Sequence, residues 1–328
     1  MATNLIKRTA AARLLIVLLG LNLCSSAWAL DFPYNALRWV THSAPGGGSD
    51  AMVRSVAAAM GESLGKQVVV ENQLGAGGLQ AASLVLKAGN DGHTWLAADN
   101  SILVFNAALY KSLPYDKSSF NTLGLMARAP LVLVTSPQAG LKSAKELLDT
   151  AKANPNKLNY ASIGTGSAAQ LAMDLLSKRA GVQFVRVPLG NDVAAVNDVV
   201  AGQVAFTVTD LPSALAHLRS GKLQALAVFT SRRIAGLPDV PTFAELGLAD
   251  LNVYLWQGLA VAAKTEPDAL AKVSKALQTV MALPSLRKRL SDTGWELLGN
   301  DAGFANAYIG AEIATWHRLI REAGLRVD

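Results

Sequence analysis

The sequence predicts an α/β protein of two lobes, and three observations carry that expectation. Apolar, β-branched runs alternate with glycine loops and helix-period segments through most of the 328 residues. The alternation comes in two successive runs, and strand-like stretches near residues 123–130 and 250–257 bridge them. Two or three helices close the chain and are expected to return to the first lobe. The lobes are therefore drawn as residues 30–128 with 255–328, and residues 129–254.

The first run opens with ALRWVTH, a short apolar strand. Met52, Val53, Val56, Ala57, Met60 and Leu64 then recur at helical spacing, and Gly65 ends that helix. QVVVEN reads as a buried β-branched strand, LGAGG as a second loop, LQAASLVLKAG as a helix and HTWLAAD as a strand. The second run repeats the scheme with PLVLVTS, SAKELLDTAKA, KLNYAS and the IGTGS loop before AAQLAMDLLSKRAG. VQFVRV, DVAAVNDVVAG, QVAFTVT, LPSALAHLRSG and LQALAVFT continue it, and LNVYLWQGLAVAAKT leads into the closing helices. Such alternation argues for a largely parallel sheet. Thr265 and Asp268 resemble a capping box, with Pro267 just inside the helix they start.

Lys7, Arg8 and Arg13, an apolar run from Leu14 to Leu23 and Ala27-Trp28-Ala29 have the layout of a secretory signal peptide. Residues 1–29 are accordingly expected to be cleaved after Ala29, placing the product in the periplasm. The apolar run is shorter than the roughly 20 residues that span a bilayer. Leu23 before Cys24 is not the small residue a lipoprotein site requires. Removal of the leader takes three of the 30 basic residues and none of the 24 acidic ones, leaving a net charge of +3. That mild, scattered charge argues against a nucleic-acid partner. The single cysteine, Cys24, leaves as well, and with it disulfide and thiol chemistry.

Catalytic signatures are sparse. The four histidines, His42, His93, His217 and His317, are isolated, and no spacing suits a metal. GGSDA and TGSAA lack the last glycine of a nucleophile elbow. No enzyme activity, cofactor or metal is therefore expected. The informative features are two glycine loops, APGGGSD and SIGTGSA, each between a strand and a helix start. Free backbone N–H groups and the helix dipole favour an anion there. Gly47, Gly48, Ser49, Gly164, Thr165, Gly166 and Ser167 would supply donors, while Asp50 would supply polarity or cap a helix. A bulky side chain at Gly47 is expected to abolish binding. Gly46, Gly48 and Ala51 also spell G-x-G-x-x-A, and Glu71 lies twenty residues further on, but Pro45 directly precedes the first glycine. A dinucleotide fingerprint is the disfavoured alternative.

APGGGSDAMVRSVAAAMGESLGKQVVVENQLGAGG, DGHTWLAAD, YASIGTGSAAQLAMDLL, VNDVVAGQVAFTVTDLPSAL and LPDVPTFAELG, in that order, resemble the Bug family. These are periplasmic solute-binding proteins of tripartite tricarboxylate transporters, and the similarity runs from about residue 33 to the end. The resemblance implies a type II periplasmic-binding fold, a Venus flytrap with a hinged cleft. It implies a small organic carboxylate as ligand and a large and a small membrane subunit as partners, with the receptor a monomer. Some relatives deliver ligand to a sensor kinase instead, so a sensing role is an alternative. The family's ligand loops carry over to Ser43, Ala44, Gly46, Gly47, Gly48, Ser49 and Asp50, and to Ser162, Gly164, Thr165, Gly166 and Ser167. Asp99, Asn100, Ser101 and Asp210 carry over from two strand ends. This chain departs from the family at His42 and Ser43, usually proline and phenylalanine, at Gln170, often histidine, and at Leu189, often tyrosine. His42 is weighed as a ligand contact against a packed, hydrogen-bonded loop histidine, and the second is favoured. The ligand's identity is left open by these changes.

Overall fold

A computed structural model describes residues 31–248 and 251–327. The leader assigned to residues 1–29 lies outside them. The chain divides into Met1–Tyr34 and Asn35–Asp328, and all the strands and helices described belong to the second unit.

In its first half β1 (Leu37–Thr41) lies between β2 (Val68–Asn72) and β3 (Thr94–Asp99), parallel to both. α1 (Gly48–Leu64) connects β1 to β2, burying Met52, Val53, Val56, Ala57 and Met60 on one face. Gly65 stops it at φ 66°, the left-handed conformation in which a Cβ is strained, and its N–H closes onto Gly61 O. α2 (Leu79–Lys87) leads into β3. A single π-turn at Ser101–Phe105 and the short α3 (Asn106–Leu109) follow. Nothing in the apolar periodicity had marked these two turns.

The strand β4 (Phe120–Thr135) serves both halves of the molecule. The second half adds α4 (Ala144–Ala153), β5 (Asn159–Ser162), α5 (Ala168–Ala180), β6 (Val185–Pro188) and α6 (Asp192–Val200). It continues through β7 (Phe206–Asp210), α7 (Leu211–Arg219) and β8 (Gln224–Val228) before β9 (Tyr254–Ala262) returns. Phe120 to Pro130 of β4 pair with β9, whereas Leu131 to Thr135 pair with β7 and β8. The strand order is β2-β1-β3-β9-β4-β7-β5-β6. α8 (Pro267–Met281), α9 (Pro284–Asp292), β10 (Glu296–Leu297) and α10 (Ala302–Ala323) complete the chain. Trp316 of α10 meets Phe105 edge-on at 4.9 Å, and His317 bonds Val104 O, so this helix covers the π-turn.

Three expectations are corrected. The sheet is mixed: β4 and β9 run antiparallel to their neighbours because they cross between the halves. β2 is only half buried, with Val69 45% exposed, because it is an edge strand with one solvated face. Thr265 does not cap α8; Glu266 occupies that position without a side-chain bond, and Pro267 begins the helix. Among the described residues no helix is long and apolar enough to cross a membrane.

Candidate functional site

The carboxyl ends of β1, β3, β5, β6 and β7 converge on a cavity of about 480 Å³. At β1 the turn into α1 begins with Gly47 as N-cap, with no side chain to accept from the first helical amides. Three amides of this loop are satisfied inside the protein. Gly46 N–H donates to Asp50 Oδ2 at 3.0 Å, Gly47 N–H to Ala44 O at 3.1 Å, and Gly48 N–H to Ser213 Oγ at 3.0 Å. Asp50 is 2% exposed and also holds Arg54 and Asn72. Burial opposes its charge, but the bonds from Arg54, Asn72 and Gly46 outweigh that and keep its carboxyl below the usual range. Of the positions expected to bind, Ser43, Ala44 and Ser49 line the cavity; Gly46, Gly47, Gly48 and Asp50 do not.

The second loop leaves β5 at Ser162. Ser162 Oγ bonds Gln170 and accepts from Arg186 Nε at 3.0 Å, so this hydroxyl is buried beneath the wall. Gly164, Thr165 and Ser167 line the cavity, and Gly166 does not. Ser167 caps α5 by accepting Gln170 N–H at 3.1 Å. Ala168 and Ala169, in the first turn of the helix, also face the cavity. The amides of such a turn lie beyond the reach of intrahelical acceptors.

At the end of β3, Asp99 accepts Ile102 N–H and lies 2.8 Å from His42 Nε2. Burial opposes a charged imidazole, yet the charge and hydrogen bond of Asp99 and the field of Asp192 raise the His42 pKa. His42 is thus both a hydrogen-bonded loop residue and part of the cavity wall. Ser101 lines the cavity; Asn100 does not, and its amide donates to Tyr254 O at 2.8 Å. Asp210 ends β7, lines the cavity and caps α7 by accepting Ser213 N–H at 2.9 Å. Burial and the neighbouring Asp192 charge push its carboxyl up to about 7.

Sequence reasoning passed over Arg186, Asp192 and Gln257, which all line the cavity. The guanidinium of Arg186 is held by Ser162 and by Thr165 Oγ1 at 3.1 Å, and it has no carboxylate partner among the described residues. Its one available signal was a lone cation in the apolar run VQFVRV, two residues before Pro188. Asp192 begins α6 and receives Ser213 Oγ–H at 2.8 Å. The Gly75–Gly77 turn, read only as a connector, completes the wall. Among the described residues no group of three or more His, Cys, Asp or Glu side chains could hold a metal ion.

Helix amides, a guanidinium and small polar side chains around a cleft between two α/β halves define a receptor for a small polar solute. Residues 52–325 match the family described as the tripartite tricarboxylate transporter family receptor, TctC, and the chain belongs to that family. A UPF0065 protein from the tcbD-tcbE intergenic region of Pseudomonas sp. strain P51 is 33% identical over 90% of this chain and 89% of its own. Protein BugT of Bordetella pertussis is 30% identical over 90% of this chain and 91% of its own. Among solved structures, MatC of Rhodopseudomonas palustris with bound malate is 29% identical with a TM-score of 0.83, covering 88% of this chain and 100% of that one. Rpa4515 of R. palustris with adipate is 27% identical with a TM-score of 0.86, covering 90% of this chain and 99% of that one. The Bug-family resemblance and the two-lobed periplasmic-binding fold stand on these likenesses.

Proposed function

We propose that this chain is a periplasmic solute-binding protein that captures a small carboxylate in the cleft and releases it, chemically unchanged, to large and small membrane subunits. Its lobes are residues 30–128 with 255–328, and residues 129–254. The observation that carries the reading is the Arg186 guanidinium beside the first turn of α5, with Ser49 of α1 on the same cavity. Charge-assisted bonds from such donors favour a carboxylate. A volume of about 480 Å³ suits a small organic acid with some water. The relatives solved with malate and adipate are consistent with this class.

Closure follows as a population shift. A ligand touching both lobes favours the closed state by its differential affinity for it. The bond from Gly48 N–H to Ser213 Oγ already joins the two halves. Thermal melting of residues 30–328 with organic acids and with neutral sugars tests the proposal, because a bound ligand stabilises by mass action. Upward shifts with acids alone are expected, with the acid recovered intact. A shift produced only by neutral solutes, or turnover of the acid, would overturn it.

A further inference from the structure

The cavity is unevenly furnished. On the β5 side stand Arg186 and the first turn of α5, all donors. Toward β7 and β9 stand Asp192, Asp210 and Gln257, chiefly acceptors. Gln257 is 1% exposed, and its carbonyl Oε1 is buried without any donor. A buried acceptor left unpaired costs free energy until something donates to it. Asp192 and Asp210 both draw on one residue, Ser213, whose N–H Asp210 Oδ1 already accepts at 2.9 Å. Ser213 has one hydroxyl proton, within reach of Asp192 Oδ2 at 2.8 Å and Asp210 Oδ2 at 3.1 Å, while its oxygen accepts from Gly48 N–H. That one hydroxyl proton is shared between the two side chains.

Charge points the same way. Arg186 forms no ion pair with Asp192 or Asp210, so opposite charges face the cavity without cancelling at contact. Among the described residues the only other basic side chain on the wall is His42, and Asp99 holds it. A dicarboxylate seated at Arg186 would turn its second carboxylate toward like charges and an unpaired carbonyl. An ammonium group there would meet three acceptors.

We propose that the ligand is an amino-carboxylate zwitterion, its carboxylate on Arg186 and the first turn of α5, its ammonium on Asp192, Asp210 and Gln257. This rests on the reading of the cavity as a carboxylate site and narrows it. Within that class the Arg186 end binds any carboxylate, and the acid end selects the amine.

The test is calorimetric titration of the whole chain without its leader against matched sets of acids. Each set holds an amino acid, its desamino counterpart and the dicarboxylate in which a carboxylate replaces the ammonium. One set is 4-aminobutyrate, butyrate and glutarate; another is 5-aminopentanoate, pentanoate and adipate; a third is serine, 3-hydroxypropionate and (hydroxymethyl)malonate. In at least one set the amino acid is expected to bind ten-fold or more tighter than both counterparts. Asp192→Asn should bring that preference within about three-fold, Gln257→Leu should weaken the amino acid alone, and Arg186→Gln should weaken all members alike. Melting curves identify any variant that fails to fold, and the remaining variants then decide. Tighter binding of the dicarboxylate or desamino acid in every set overturns the zwitterion proposal while leaving carboxylate capture intact. An unchanged preference in folded Asp192→Asn and Gln257→Leu proteins does the same. Binding of no carboxylate at all overturns both.

Discussion

At Gly48 the two halves meet at close quarters against groups that cannot move, so Gly48→Ala is a sharp probe of closure. A Cβ there would lie 2.6 Å from Asp210 Oδ1, 2.7 Å from Pro212 Cβ and 3.0 Å from Ser213 N. The last two belong to a proline ring and a helix backbone, which cannot swing aside. The φ of Gly48 is not left-handed, and alanine is the better helix former, so the substitution harms nothing within α1. The whole cost falls on the approach of α1 to α7. Overpacking costs about 1–3 kcal/mol. Loss of the Gly48–Ser213 bond adds about 1 kcal/mol. Together these oppose closure by roughly 2–4 kcal/mol, which at 1.4 kcal/mol per decade weakens ligand about 30- to 700-fold. The melting temperature without ligand should be unchanged or nearly so, because opening relieves the contact. Titration calorimetry with the tightest acid, with solution scattering for the shape, measures both parts. Affinity within three-fold of the parent protein, with the same closed shape, would refute the reasoning. Gly47→Ala is the natural control. The atoms nearest its Cβ would be those of the Asp192 carboxylate, from 2.5 Å, and that side chain can rotate away. For acids without an ammonium it should cost less than ten-fold, and only a bulkier side chain there should abolish binding.

Two further outcomes follow from the same geometry. Asp210 has its folded pKa raised to about 7 from the ordinary 3.8, so the folded state holds a proton that the unfolded state releases first. Stability without ligand should therefore decline as pH rises from about 4 to 7, and Asp210→Asn, which keeps a capping side chain, should flatten that decline in denaturant titrations. The raised pKa of His42 acts in the same direction, its contribution fading as pH climbs past 6.5. In the first half, Trp316 is 3% exposed, stacks edge-on against Phe105 and donates to Glu312 at 3.1 Å. Trp316→Ala should cost about 3–5 kcal/mol in urea unfolding, and it leaves the cavity wall untouched.

What could be read along the chain was local. Period-2 and period-3.6 patterns depend on neighbouring side chains, so β1, α1, β5 and α5 were legible from the apolar residues alone. The Ser167 cap and the stop at Gly65 were legible for the same reason, since each involves a backbone segment of a few residues. The two glycine loops were found because helix starts after strand ends have a sequence signature. Thr265 shows the limit even at short range. Its spacing suits a capping box, but Glu266 takes the cap because the chain turns into α8 one residue later.

The direction of strands β4 and β9, the exposure of β2 and the furnishing of the cleft required the assembled molecule. Val69 reads as a core residue until β2 is known to be an edge. Gly48 reads as a ligand donor until Ser213, far away in sequence, takes its amide. Arg186 and Asp192 lie in an ordinary strand and an ordinary helix start; their importance comes from the strand ends that the sheet gathers around one cavity. The sequence by itself therefore determined the two-lobed α/β plan and the positions of the loops, because local backbone preferences and apolar spacing encode them, while the order of its motifs carried the family resemblance. Only the tertiary structure decided which of those loops' donors remain available and which charges face one another, because both depend on contacts made between the two halves.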